Sequence, residues 1–174
     1  MDFIIGLPKY EGKSVIMVLV DRLTKYAHFC ALSHPFKAST VATTFMDTIQ
    51  KLHGNPRVIV SETDPIFTGN FWMELFSCLG TQLAHSSSYH PRSDGQTEIV
   101  NKCLEGYLRC FLSDKQTQWL KWLPLVKWWY NTSFHIAAKM TPFMALYGYH
   151  PPSITYYLTE NYRVQSMEDR IKHQ

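Results

Sequence analysis

The chain has 174 residues, 45% of them hydrophobic and 14% aromatic, and a formal charge of +3; this fits one well-buried domain with a tail and excludes a disordered chain, while so small a charge shows no nucleic-acid partner by itself. The longest clean apolar run, Val15 to Val20, is far too short to cross a bilayer, and Met1-Asp2 opens without a basic or apolar leader, so neither a membrane span nor secretion by a signal of its own is expected. Cys30, Cys78, Cys103 and Cys110 form no Cys-x-x-Cys pair, which argues against structural zinc and a disulfide framework and for reduced thiols.

In chain order, Phe3-Ile4-Ile5 reads as the remnant of a first strand with Asp2 at its edge, and Gly6 to Gly12 as a turn. Ser14 to Val20 is a second strand whose continuous apolarity predicts burial on both faces. Asp21 to Lys25 turns into a third strand, Tyr26 to Leu32, and Asp21 there reads as a turn former rather than a catalytic acid. Val41, Phe45, Ile49 and Leu52 recur at helical spacing between Ser39, a candidate cap, and His53, with Gly54 and Pro56 as the stop. Arg57 to Ser61 is a fourth strand, Thr68 to Leu79 a helix burying Phe71, Trp72, Leu75, Phe76 and Leu79, and Thr81 to Ala84 a short fifth strand. A polar loop, Ser86 to Gly95, leads into a helix headed by Glu98 and running to about Leu112, with Ser93 and Gln96 spaced as a capping box. Another helix starts at Trp119, is broken or restarted at Pro124, and ends in Trp128, Trp129 and Tyr130, which suit core or oligomer contacts better than base stacking. Thr141 caps a last short helix to Tyr147. Pro151-Pro152 marks the domain edge at residue 152, and residues 153–174 read as a polar connector. Three strands in sequence, then strands alternating with helices, predict an α/β fold on a mixed sheet.

The acids concentrate between Ser61 and Glu98. Glu62 and Asp64 sit where the strand Val58-Ile59-Val60 runs out, and Glu98 lies in the first turn or so of the next long helix. A carboxylate from a strand end and one from a helix start can converge on a hard divalent cation, which prefers carboxylate oxygens and keeps positions for water and phosphate. From Ile99 to Met140 the pattern inverts: Lys102, Arg109, Lys115, Lys121, Lys127 and Lys139 stand against Glu105 and Asp114, a surplus of four positive charges. A carboxylate cluster beside a basic helix suits a polyanionic substrate, although a basic stretch alone is also what an ordinary solvated helix face looks like.

Tyr89-His90-Pro91, Asp94-Gly95-Gln96-Thr97-Glu98, Asn101 and Leu104-Glu105, set 35 residues after an Ile-Val-Ser-acid strand end, resemble the integrase catalytic core of Ty3/gypsy-type LTR retrotransposons. Further matching blocks are Met1 to Ile4, Val20 to Phe29, Tyr130 to His135 and Met140 to Phe143, so the resemblance covers roughly residues 1–152. It implies a ribonuclease H-like fold, a five-stranded mixed sheet flanked by helices. It also implies a catalytic triad of Asp2, Glu62 and Glu98 holding two Mg²⁺ or Mn²⁺ ions, roughly 3.5–4 Å apart, with no zinc, for phosphoryl transfer in 3′-end processing and strand transfer. Tyr89, His90, Arg92, Asp94, Gln96, Asn101, Lys102 and Arg109 become the candidates for contacting element ends or target DNA. For the loop positions, a bare turn at His90-Pro91 and a cap at Asp94-Gly95 stay open as alternatives. Implied partners are DNA and further integrase subunits, with no membrane, and the implied site of action is the nucleus. Only the family's catalytic core is matched, without its zinc module ahead or a basic β module behind.

The family motif has Asp where this chain has Glu62, with Asp64 as a possible compensating acid. Arg92 stands where Gln is usual, and Lys127 and Met144 where Glu is usual. These departures leave two expectations: a metal-dependent DNA-joining enzyme impaired by one methylene, or a non-catalytic retroelement remnant that binds DNA or integrase partners.

Overall fold

The computed structural model describes residues 1–61, 69–85, 91–112, 118–136 and 138–152. The order of elements is close to that read above: β1 (Asp2–Ile4), β2 (Val15–Val20), β3 (Ala27–Leu32), α1 (Ala38–Phe45), a π-helical stretch (Met46–Gln50), α2 (Lys51–His53), β4 (Val58–Ser61), α3 (Asn70–Cys78), β5 (Gln82–His85), α4 (Pro91–Leu112), α5 (Trp119–Thr132) and α6 (Pro142–Tyr147).

Strands β1, β2 and β3 form an antiparallel ladder in that order, and β4 pairs with β5 in parallel. The two ladders meet at β1, where the Met1 nitrogen donates to the Val60 carbonyl at 2.7 Å. The order across the molecule is therefore β3-β2-β1-β4-β5, a mixed arrangement.

Strand β2 explains the two-sided core. Its side chains alternate between faces, and both faces are covered. Ile16 and Val18 join Ile4, Ala27 and Phe29 under Val100, Leu104 and Leu108 of α4 and Trp119, Leu123, Val126 and Tyr130 of α5. Val15, Met17 and Leu19 join Met1 and Leu32 under Val41, Ala42 and Phe45 of α1 and Trp72 and Phe76 of α3. A strand covered on both sides has no polar position to spare, hence the unbroken run VIMVLV.

Five local expectations are corrected. The cap of α1 is Lys37 rather than Ser39, and its side chain makes no capping bond. The helix read through to His53 widens into a π-helical stretch at Met46, which shifts the face carried by Leu52 and leaves it exposed. Helix α4 already runs from Pro91, so Ser93 and Gln96 lie inside it instead of forming its capping box; proline, with φ preset and no N–H to satisfy, suits a first helical position. Helix α5 continues through Pro124 without a break. Pro124 is exposed, and the carbonyl that loses its partner four residues earlier lies on the same side of the helix. In α3, Trp72 and Phe76 are buried as expected but Phe71 is 49% exposed. The connector read at 153–174 lies outside the described residues.

One helix is closed by its own caps and another is fixed to the sheet by a side chain. Thr141 caps α6 by accepting from the Met144 N–H at 3.1 Å, and Gly148 closes it at φ +78°, a left-handed conformation that favours glycine. Asn131, 2% exposed, acts as a short strand against the free edge of β3: its Oδ1 accepts from the Ala27 N–H at 2.8 Å and its Nδ2 donates to the Ala27 carbonyl at 2.9 Å and to the Lys127 carbonyl at 2.9 Å. Truncation would strand two buried backbone groups. Asn131→Ala is expected to destabilise the fold by about 2–3 kcal/mol, read as a lower urea midpoint with unchanged slope.

Candidate functional site

Asp2 opens β1, in register with Val18. Its Oδ1 accepts from the Phe3 N–H at 2.7 Å and its Oδ2 from Asn101 Nδ2 at 2.5 Å. Asn101 stands on α4 one turn beyond Glu98, so a bond spanning 99 positions ties the first strand to the turn of helix that carries the implied third ligand. The Met1 to Val60 bond, spanning 59 positions, ties the same strand to the end of β4, just ahead of Glu62. Three segments far apart in sequence thus meet at Asp2.

Two oxygens at this meeting point have no hydrogen-bond partner among the described residues, although both are buried: Ser61 Oγ at the end of β4 and Asn101 Oδ1. A buried acceptor without a donor is costly, so such atoms mark a place built for something more. Oxygen atoms beside a carboxylate are what a hard divalent cation, or water bound to one, takes as neighbours. The residues present fit such an ion on the chemistry of their donors. Among the described residues no three His, Cys, Asp or Glu side chains come together as a ligand set.

Of the implied triad, Asp2 alone has a described side chain. Glu62 and Asp64 lie outside the described residues, as do Tyr89 and His90. Helix α4 carries Arg92, Asp94, Gln96 and Glu98 on its backbone, with their side chains outside the described set. Asn101, a candidate for contacting DNA, turns its amide to Asp2 and positions that carboxylate. Lys102, Glu105 and Arg109 are exposed, whereas Val100, Leu104 and Leu108 form the buried side. Asp21 serves its own turn, accepting from the Thr24 N–H at 3.0 Å, Thr24 Oγ1 at 2.5 Å and the Leu23 N–H at 3.4 Å. Burial alone would raise its carboxyl, but these bonds and the nearby Lys25 outweigh it and hold it below the usual range.

A polar chain that the sequence did not announce runs beside β3. Lys127 Nζ lies 3.0 Å from His28 Nδ1, and His28 Nε2 lies 3.0 Å from His53 Nε2. With the ammonium donating to Nδ1, His28 carries its proton on Nε2 and donates it to His53. Tyr26 packs against both rings and edge-on to Tyr147. Lys127, counted above with the basic surplus, is therefore half-buried and turned inward, and burial lowers its pKa. His28 is 4% exposed; burial, then the Lys127 charge and His53, push its pKa down to about 3. None of these residues offered a sequence signal, because β3, α2 and α5 bring together positions with no common spacing.

The sign of the resulting pH dependence follows from that depression. Between the ordinary histidine range near 6.5 and about 3 the unfolded chain binds a proton that the folded chain refuses, so stability falls as pH drops through this window. The loss should reach up to about 1.4 kcal/mol per pH unit from this group. Thermal midpoints measured from pH 7 to pH 4 should fall more steeply for the unaltered chain than for His28→Gln; parallel curves would remove His28 as the cause.

Comparison with known proteins sets this geometry in a family. No family model matches the chain. It is 34% identical over 151 residues to the Transposon Tf2-3 polyprotein of Schizosaccharomyces pombe (strain 972 / ATCC 24843), covering 87% of this chain and 11% of the polyprotein. The Transposon Tf2-4 polyprotein of the same organism matches to the same extent, so the chain spans about a tenth of the length of these relatives. Among solved structures, a simian T-cell lymphotropic virus intasome in complex with PP2A regulatory subunit B56 gamma superposes with a TM-score of 0.70 at 19% identity, covering 94% of this chain and 58% of that one. The HTLV-2 integrase catalytic core domain in complex with magnesium, in its trimeric form, superposes with a TM-score of 0.64 at 15% identity, covering 83% of this chain and 93% of that one. At such identities these two speak to the fold, which is the ribonuclease H-like fold of integrase cores. The chain is thus similar over most of its length to a region of retrotransposon polyproteins, and its fold is the one seen in integrase catalytic cores.

Proposed function

We propose that the chain is the DNA-joining core of a Ty3/gypsy-type element, acting in divalent-metal-dependent phosphoryl transfer on element ends and target DNA in the nucleus. The observation that carries this reading is the meeting of Met1 with Val60 and of Asp2 with Asn101, which brings the segments leading to Glu62 and carrying Glu98 up to the Asp2 carboxylate. Magnesium in the HTLV-2 core structure supports the choice of ion, and the intasome and the trimeric form support an assembly of several subunits on DNA.

In this reading Asp2, Glu62 and Glu98 would hold Mg²⁺ or Mn²⁺. Such ions, when bound, supply activation of the attacking water or DNA 3′-hydroxyl and stabilisation of the leaving oxygen. The chain's own contribution is placement. Asn101 fixes one oxygen of Asp2 from α4, and the Phe3 N–H fixes the other. With both oxygens restrained, the carboxylate enters the reaction without having to be ordered first. The exposed Lys102 and Arg109 on the same helix would meet the DNA backbone. Tyr89, His90, Arg92, Asp94 and Gln96, which precede Glu98, are the further candidates for contacting the DNA end.

Glu62 sets the level of activity. One methylene more than Asp moves the carboxylate by about one bond, and a misplacement on the order of 1 Å can cost roughly a hundredfold in rate. Glu62→Asp is therefore expected to raise Mg²⁺- or Mn²⁺-dependent nicking or strand transfer by about a hundredfold, and Glu98→Gln in that background to abolish it, with Mn²⁺ the better ion for the unaltered chain. Should the Glu62→Asp protein fold and bind DNA yet show no metal-dependent cleavage or joining, the remnant reading takes over, in which the core only binds DNA or other integrase subunits.

DNA binding is tested separately by salt. Lys127 faces His28, and among the described side chains the exposed cations of α4, α5 and the following turn are Lys102, Arg109, Lys121 and Lys139. Roughly four phosphate contacts give a slope of log affinity against log salt of about −3.6. Lys102→Ala and Arg109→Ala should each reduce that slope by about 1, whereas Lys127→Met should leave it unchanged; a curve indifferent to salt would remove the DNA surface from α4.

A further inference from the structure

We propose that Lys127, His28 and His53 form a proton-operated latch that ties α2 to β3 and α5: it is closed while Lys127 alone carries a charge, and it opens when His53 takes a proton. The inference does not rest on the DNA-joining reading. It rests on the direction in which three polar groups in a row can face one another.

Lys127 Nζ stands 3.0 Å from His28 Nδ1 and His28 Nε2 stands 3.0 Å from His53 Nε2, with the two ring centroids 5.2 Å apart, so the two Nε2 atoms face each other between the rings. An ammonium has hydrogens to give and no lone pair. His28 must therefore accept on Nδ1 and keep its single proton on Nε2, and His53 must receive that proton on a bare Nε2 while carrying its own on Nδ1. Every bond in the row runs outward from Lys127. A proton added to His53 puts an N–H on each of the two facing Nε2 atoms, and the bond between the rings is lost. His28 does not take the extra proton instead, because burial, Lys127 and His53 hold its pKa down to about 3.

The surroundings do not offset the second charge. The charges that act on His28 are those of Lys127 and His53, with no carboxylate among them. On the α5 side Lys127 lies near Cys30 of β3, whose thiol burial pushes up and keeps neutral. Tyr26 of β3 packs against both imidazoles with Tyr147 of α6 edge-on to it, and burial raises its phenol as well. Lys51 shares the last turn of α2 with His53, and Asp47 in the π-helical stretch is exposed. In the turn after β2, Arg22 is a cation and the Asp21 carboxylate is already bonded to Thr24 and Leu23.

Opening is local. Neither the π-helical stretch nor α2 carries a buried residue, and Leu52 is exposed, so little of the core holds this end of the helix once His53 lets go. The effect stops at Asn55. Its side chain accepts from Gln50 Nε2 at 2.8 Å and donates to the Leu79 carbonyl at 3.2 Å, and the Pro56 carbonyl accepts from Thr81 Oγ1 at 2.7 Å, so β4 keeps its place. The reporting amide is that of Gly54, which donates to the Gln50 carbonyl at 2.9 Å.

The test compares the full chain with His53→Gln and Lys127→Glu between about pH 7.5 and pH 5, the span in which imidazoles ordinarily charge. The bond needs a neutral His53, so the latch is closed at the upper end and lost as pH falls. In the unaltered chain, protection of the Gly54 amide relative to the β2 amides should drop about tenfold, the worth of one hydrogen bond. In His53→Gln an amide oxygen accepts from His28 at every pH, so the ratio should stay constant. Lys127→Glu supplies a carboxylate that accepts from His28 Nδ1 and leaves Nε2 bare for a protonated His53, so protection should rise on acidification. Nitrogen NMR of the rings at about pH 7.5 is the second measurement, expected to place the proton of His28 on Nε2 and that of His53 on Nδ1. A constant ratio in the unaltered chain, an equal drop in His53→Gln, a drop in Lys127→Glu, or the opposite ring tautomers would each overturn the proposal.

Discussion

A strand of three residues holds the candidate site together. β1 is flanked by β2 on one side and reaches β4 on the other, and its first residue carries the carboxylate around which the implied chemistry is arranged. Neither ladder alone would bring β4 to α4. Only because Met1 engages Val60 while Asp2 engages Asn101 does the end of a parallel strand come to lie near the first turns of a helix almost a hundred positions from β1. The two cores follow from the same placement: Ile4 contributes to the layer under α4 and α5, and Met1 to the layer under α1 and α3.

Most of the fold was legible in the sequence because its signals are local. The run Val15 to Val20 stated its own burial on both faces, and Thr141 marked the cap of the last helix correctly. The misreadings arose where a local signal has two outcomes. Pro91 opens α4, whereas the polar residues after it had suggested a loop; Pro124 sits inside α5, since an exposed proline interrupts only a bond that water can replace. The π-helical stretch at Met46 had no signal at all, because one inserted residue changes the helical face without changing composition.

The site was less legible, and for a different reason. Glu62 and Glu98 could be read as ligands from their positions at a strand end and a helix start, but Asp2 has no local mark and came from resemblance alone. Asn101 was a candidate for contacting DNA, and nothing in the sequence announced its bond to Asp2. Helical spacing tells which residues look the same way, not what stands opposite. The same limit hid His28, His53 and Lys127. Lys127 counted as a surface charge until its side chain was found against His28, where burial makes it a poor phosphate ligand and His28 a poor proton acceptor.

These restraints decide what a one-methylene difference after Ser61 can mean. Ser61 is 2% exposed and paired in register with His85, and Val60 before it is bonded to Met1. Sliding β4 backward to bring a longer side chain's carboxylate into an Asp's place would break the parallel register and the bond to Met1 together. A one-residue slip would also turn Ile59 out of the core and Val60 into it. The backbone is thus not the variable by which Glu and Asp can be exchanged at the next position. Asp2 is restrained as well, since both of its oxygens accept hydrogen bonds from groups fixed in β1 and α4. With the strand held as far as Ser61 and the first carboxylate held as well, exchanging the two acids leaves these restraints in place, which is why a single substitution is a suitable probe of their difference.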